Sequence, residues 1–297
     1  MYRFNPSALC LSEQAVDVLR TALLHKWSWP ILPLISLVLG TVIYLRGWAF
    51  ARRTRAAELS LWRPASFLAG AASLWIAIAS PLDAFDDYLL TAHMIQHFIL
   101  MSVAPPLLVL SAPVVPLLRG LPRWVVRWPL HWFFTSRAVR YVLNRLGHPA
   151  VIWVAMNVAY LGWHAPKAFE LTFRSEGWHN LEHLCFFLTS LAFWLVVIEP
   201  WPAKTRWPRW AAIPYLLSAD LLNTVLSGLL TFSGRVLYPS YQQAPRVCGL
   251  TALQDQIAAG SEMWVLNSTV FLIPAIVLTV HLLSPKIYRQ RQVELTG

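Results

Sequence analysis

Seven separate apolar runs recur along this chain. Each is roughly 15–25 residues long, about what an α-helix needs to cross a hydrocarbon core of about 30 Å. In lipid every backbone N–H and C=O must be bonded within the protein, so such runs are read as helices of a bundle. They fall at about residues 29–45, 64–80, 86–110, 149–163, 176–198, 210–232 and 261–283. Composition supports the reading. The chain is 57% hydrophobic and 13% charged, about half the charged share of a soluble domain. Its 16 tryptophans suit a residue that prefers membrane interfaces. The expected fold class is therefore all-α: a polytopic, seven-helix transmembrane bundle.

Charge then orients the bundle. The loops after the first, third, fifth and seventh runs hold the clustered Arg and Lys. The loop after the second holds Asp83, Asp86 and Asp87 and no base, and those after the fourth and sixth balance their bases with Glu170, Glu176 and Asp255. Positive loops stay in the cytoplasm, which puts the N-terminus outside and the C-terminus inside. Residues 1–28 form an amphipathic segment at the interface, 29–285 the transmembrane domain and 286–297 a cytoplasmic tail. The connection 113–148 interleaves Arg with Trp and Phe and is read as lying on an anionic membrane surface. The net charge of +10 is thus assigned to membrane lipid, not nucleic acid. Cys10, Cys185 and Cys248 show no CxxC spacing, so neither a zinc knuckle nor a disulfide framework is expected. The first apolar run begins too far from the start for a cleavable leader.

Within this frame the histidines segregate. His131, His148 and His281 fall on the cytoplasmic side and His25 in the outer segment; the other five fall in the outer half of the bundle. His93 and His97 enter on the third run, four residues apart, so both rings share one helix face. His164 stands where the fourth run emerges. His179 and His183, again four apart, open the fifth run. At 1.5 Å per residue His93 is expected roughly 10 Å below Asp86 and His183 roughly 10 Å below Glu176, at matched depth. Met263, near the start of the seventh run, reaches the same level, and Met101 extends the face of His93 and His97. Ionisable groups in membrane spans are costly and are functional candidates by default. Each has an ordinary reading as well: a lone histidine or methionine is a packing residue, His164 beside Pro166 a helix-end cap, and Asp220 on the sixth run a bonded structural acid. Two pairs at one depth favour a metal.

Imidazole and thioether in an apolar setting favour Cu(I); zinc is the second choice, with Asp255 or Glu182 available to complete its shell. Glu182 can instead hold a ligating imidazole in place by a hydrogen bond. Haem would need axial ligands from opposite faces of a porphyrin, which leaves one member of each pair unexplained. No HExxH, nucleophile elbow or P-loop supports hydrolysis, so no enzymatic activity is expected. The competing classes are a copper or proton transporter, with Asp220 and His281 as inner stations, and a haem-binding electron carrier.

Several spaced motifs extend this reading: HMIQH at 93–97 followed by APPLLVLSAP, WHAP at 163–166, WHNLEHL at 178–184, LYPSY at 237–241 and DQIAAGSEMW at 255–264. Together they resemble the seven-span caa3-type cytochrome c oxidase assembly factor family, CtaG, over roughly residues 30–285. The resemblance implies a multi-pass protein of the bacterial cytoplasmic (inner) membrane that serves in maturing the oxidase copper centres. It implies a metallochaperone-like role toward the copper-bearing oxidase subunit or a periplasmic copper chaperone. The family's metal-site residues carry over to His93, His97, His164, His179, His183, Asp255 and Met263. Oligomeric state is not fixed by any of these features.

Overall fold

The computed structural model describes residues 30–202, 207–246 and 249–284. The interfacial segment 1–28, the tail 286–297, His25, Cys10 and Cys248 lie outside the described residues. Within them the chain is helical, without a strand. Helices α1 (Ile31–Arg52), α2 (Trp62–Ala79) and α3 (Pro81–Phe85) precede α4 (Leu90–Phe98). A π-helical turn, Ile99–Val103, joins α4 to α5 (Ala104–Leu110). After short helices in the connection, including α6 (Val114–Gly120) and α7 (Arg137–Leu146), come α8 (Pro149–Trp163), α9 (Pro166–Arg174) and α10 (Glu176–Ile198). Finally α11 (Ala212–Phe232), α12 (Pro239–Gln243) and α13 (Ala252–Leu283) complete the bundle. Six stretches are long and apolar enough to cross a membrane: Ile31–Arg52, Trp62–Phe85, Leu90–Leu110, Glu176–Ile198, Arg209–Phe232 and Ala252–Leu283. Pro149–Trp163 is apolar but, at 15 residues, shorter. The protein is a multi-pass membrane protein.

Two helix starts differ from the sequence expectation, and capping explains both. The last helix begins at Ala252, not near 261. The Oγ1 of Thr251 accepts from the Gln254 N–H at 3.2 Å and the Gln254 Oε1 accepts from the Thr251 N–H at 2.9 Å, a capping box that sets the first turn. The third run begins at Leu90, not Asp86. Ser80 caps the short helix Pro81–Phe85, and the chain turns before α4 starts. Asp86 therefore folds back beside His93 instead of standing two turns above it.

The π turn has a local cause. Pro105 and Pro106 carry no N–H, so the Met101 carbonyl can find neither an α-helical partner at i+4 nor a π-helical one at i+5. The indole N–H of Trp194 on α10 donates to that carbonyl at 3.1 Å. Trp194→Phe removes the indole N–H, stranding a buried acceptor, and leaves a smaller ring in a buried site, so it is expected to lower unfolding stability by at least about 1–3 kcal/mol, read as a shifted denaturation midpoint in detergent.

Close backbone approach fixes the rest of the frame. A Cβ on Gly47 of α1 would sit 1.7 Å from the Pro116 carbonyl oxygen, and one on Gly120 would sit 1.9 Å from that of Ile43. On α13, a Cβ at Gly260 would meet Thr231 Oγ1 at 2.6 Å, so α11 and α13 pack with no room for a side chain there. The large core joins α4, α8, α9, α10, α11 and α13 around Met94, Met101, Phe169, Phe186, Phe193 and Phe271. Outward-facing Leu221, Val265 and Ile276 stay exposed, as a lipid-facing surface requires. Trp124, Trp128 and Trp132 on the connection are exposed too, consistent with interfacial placement of the aromatics.

Candidate metal centre

α4 and α10 each present one stripe of ligand side chains. His93 and His97 are one turn apart with ring centroids 4.2 Å apart, and His179 and His183 repeat this at 4.1 Å. Glu182 shares a face with His179, three residues before it. The two stripes meet. The His93 and His179 rings are 5.4 Å apart and those of His97 and His183 5.6 Å. His164, at the end of α8, lies 5.7 Å from His97 by ring centroid. The five histidines expected at matched depth are thus one cluster, and His93, His97, His164 and Glu182 are at most 3% exposed.

Two carboxylates complete it. Glu182 Oε2 lies 3.7 Å from His93 Nε2 and 3.6 Å from His97 Nε2. Asp86 Oδ2 lies 3.8 Å from His93 Nδ1 and 3.4 Å from His179 Nε2. Three overlapping sets have their ligand atoms within 4.8 Å of one another: Asp86, His93 and His179; His93, His97 and Glu182; His179, Glu182 and His183. His93, His179 and Glu182 each belong to two of them. Burial pushes the Asp86 carboxyl up to about 7, against the opposing pull of His93.

The donor set fits a metal. His97 Nδ1 and Nε2, the Nε2 atoms of His93, His164, His179 and His183, both Glu182 oxygens and Asp86 Oδ2 are all buried without a hydrogen-bond partner. Buried polar atoms are nearly always paired, so this concentration of unpaired buried polar atoms fits a ligand. Donors about 2.0–2.2 Å from a tetrahedral ion stand about 3.3–3.6 Å from each other, close to the carboxylate–imidazole separations above.

The surrounding motifs hold this ring by its backbone. Tyr238 donates its phenol to the His164 carbonyl at 3.0 Å and Tyr241 donates to that of Asp86 at 2.6 Å, which gives LYPSY its role. Phe169 lies between, its ring 4.0 Å from Tyr238 and 5.0 Å from His93. Gln96 donates to the Ala77 carbonyl at 2.7 Å and to Asp83 at 3.0 Å, tying α4 to the end of α2.

Asp255 stands elsewhere. Its carboxylate accepts from the Leu90 and Thr91 N–H groups at 2.6 and 3.1 Å and from the Thr91 hydroxyl at 2.6 Å. It caps the helix that carries His93, so its charge stabilises that helix start. Gln256 next to it accepts from Leu237 N–H at 2.7 Å and reaches the Leu230 carbonyl at 3.1 Å. Met263 lies beneath the ring, on the wall of an internal cavity that also touches His97 and His164. Asp86 was legible only as one of three loop acids, because its approach to His93 depends on the turn before α4. Glu182 had a stronger signal: H-x-x-E-H at 179–183 is a known ligand spacing in reverse order to HExxH.

The family model described as cytochrome c oxidase caa3 assembly factor matches residues 42–284. Two curated relatives, uncharacterized proteins of Mycobacterium bovis and Mycobacterium tuberculosis, are each 26% identical over 259 residues, or 84% of this chain. The chain spans 38% of the length of these relatives. No solved structure matches.

Proposed function

The chain belongs to the cytochrome c oxidase caa3 assembly factor family, and from that premise we propose that it is a non-enzymatic copper-handling factor. It holds Cu(I) at the histidine–carboxylate ring on the outer face of the bacterial cytoplasmic membrane and passes it to the copper-bearing oxidase subunit or a soluble carrier. The observation that carries this reading is the convergence of five imidazoles and two carboxylates with unpaired, buried lone pairs. Neutral imidazole suits Cu(I) and also zinc, which stays the second metal. In this reading Glu182 supplies negative charge between the two helices, His93 and His97 bind from one side and His179 and His183 from the other. Asp86 and His179 line a surface depression that also touches His93, an exit toward a partner. The phenols of Tyr238 and Tyr241 hold the backbone so that the rings need not reorganise when cargo leaves.

The topology supports seven crossings. α4 and α10 both start at the ring, while α5 ends at the other end of the bundle. α8 is the apolar helix between them, and it ends at His164 beside His97. It therefore serves as the return crossing despite its length. With acidic Asp83, Asp86 and Asp87 at the ring end, positive-inside logic puts that end outside and the C-terminus in the cytoplasm. A transport path is less favoured: Asp220 is bonded to Ser268 at 2.7 Å on a half-buried face, and exposed His281 bonds its own helix at Val277.

The test is oxidase maturation in cells. A strain lacking this protein is complemented with the wild type, His93→Ala or His183→Ala, and oxidase copper is measured in membranes. The wild type should restore it and both variants should leave copper-deficient oxidase at least about tenfold lower in activity. Full restoration by both variants would sink the proposal.

A further inference from the structure

Beneath the ring is an internal cavity of about 20 Å³. That is room for one water-sized occupant, and far too little for a haem or an organic substrate. Its wall contains Met94, Met101, Met156 and Met263, together with His97 and His164. These are all four methionines of the described residues; the fifth in the chain is Met1. They come from three helices, α4 with its π turn, α8 and α13, and each is at most 5% exposed. Methionine is a common gap filler. Here, however, every thioether in the described residues converges on one cavity, and two imidazoles join them.

The imidazoles are prepared to ligate. His164 Nδ1 lies 2.7 Å from the Tyr160 carbonyl, an acceptor only, so Nδ1 carries the proton and Nε2 keeps its lone pair. That Nε2 is buried without a partner, as are both nitrogens of His97. The neighbouring amides and hydroxyls need no ligand. Tyr160 donates to Asn223 Oδ1 at 2.7 Å, Asn267 donates to the same oxygen at 3.3 Å, and Ser102 donates to Asn267 at 2.7 Å. No carboxylate lines the cavity. A divalent ion there would lack neutralising charge, whereas soft, uncharged thioether and imidazole donors suit a monovalent soft ion.

We propose that this cavity is a second, thioether-rich Cu(I) site below the histidine–carboxylate ring, with His97 belonging to both. It rests on the reading that the chain handles copper and goes beyond it: the ring receives and releases the ion, and the cavity stores it away from water. The donors on the two sides select differently, because zinc can occupy the ring but finds no charged ligand below.

The test uses full-length, detergent-purified protein in which methionine is replaced by selenomethionine, loaded anaerobically with Cu(I). X-ray absorption at the copper edge should show a selenium neighbour as well as nitrogen. Met101→Leu/Met263→Leu, a volume-conserving change, should lose the selenium shell and about one copper per chain, while keeping nitrogen-ligated copper. Bound copper with only nitrogen and oxygen neighbours overturns this proposal and leaves the ring reading standing. A selenium shell unchanged in the double variant also overturns it. Failure to bind copper at all overturns both.

Discussion

Glu182→Gln is expected to make the metal-free protein more stable and the metal-loaded protein no more stable than that. Glu182 is fully buried and neither carboxylate oxygen has a hydrogen-bond partner. Its nearest polar neighbours are imidazole nitrogens at 3.6–3.7 Å, beyond good hydrogen-bonding distance. Holding an acid this way costs about 1–3 kcal/mol unless a ligand engages it. The isosteric amide removes the charge and can donate to an imidazole, so the metal-free melting temperature should rise. The same change weakens two of the three ligand sets, those built on His93, His97 and Glu182 and on His179, Glu182 and His183. Ligand at a hundred times its dissociation constant stabilises a protein by about 2.7 kcal/mol. A hundredfold loss of affinity would remove most of that. Thermal melts with and without Cu(I) check both signs. A fall in metal-free stability would instead make Glu182 a structural ion-pair partner of His93 and His97.

Asp255→Ala should act in the opposite sense. Its carboxylate is 1% exposed and accepts three bonds from the start of α4. Removing it strands the Leu90 and Thr91 N–H groups, and loss of a capping side chain with buried donors left unpaired costs about 3 kcal/mol. The metal-free protein should melt lower, and copper affinity should fall with it because the first turn of α4 carries His93. Asp255→Asn, whose amide oxygen can still accept, should recover much of both. Unchanged metal-free stability in Asp255→Ala, with copper lost, would return Asp255 to the ligand set.

Asp86 and Asp255 mark the limit of what residue order reveals. The all-α class and the shared face of each histidine pair follow from apolar run length and the i,i+4 spacing, because lipid allows so few backbone solutions; six of the seven expected runs are helices long enough to cross a membrane, and Pro149–Trp163 is shorter. The boundaries 149–163 and 176–198 coincide with α8 and α10 because Pro149 and Ser175 mark clear starts: a proline in the first turn and a capping hydroxyl. The start of α13 was misplaced because its first two turns carry Gln254, Asp255 and Gln256, which look like loop until their clamps to α4 and to residues 230–237 are seen. Asp86 and Asp255 are interchangeable on paper, each an acid near a histidine-bearing helix. Only the turn after Phe85 and the crossing of α13 over α4 decide which one faces the rings. The methionines show the converse: Met101 and Met263 were visible as candidates, but the convergence of Met94 and Met156 depends on three-helix packing, which no single periodicity encodes.

The most direct test of the central claim is copper stoichiometry after anaerobic Cu(I) loading of the detergent-purified protein, for the wild type, His93→Ala and His183→Ala. The two histidines sit on different helices, α4 and α10, and share neighbours in Glu182 and in each other's pair. The predicted result is that the nitrogen-ligated ring copper of the wild type is lost in both variants while each keeps its fold, and only thioether-bound copper in the cavity below is retained. A folded wild-type protein that retains no copper, or variants that each retain it fully, would contradict the account and make the ring a hydrogen-bonded structural cluster.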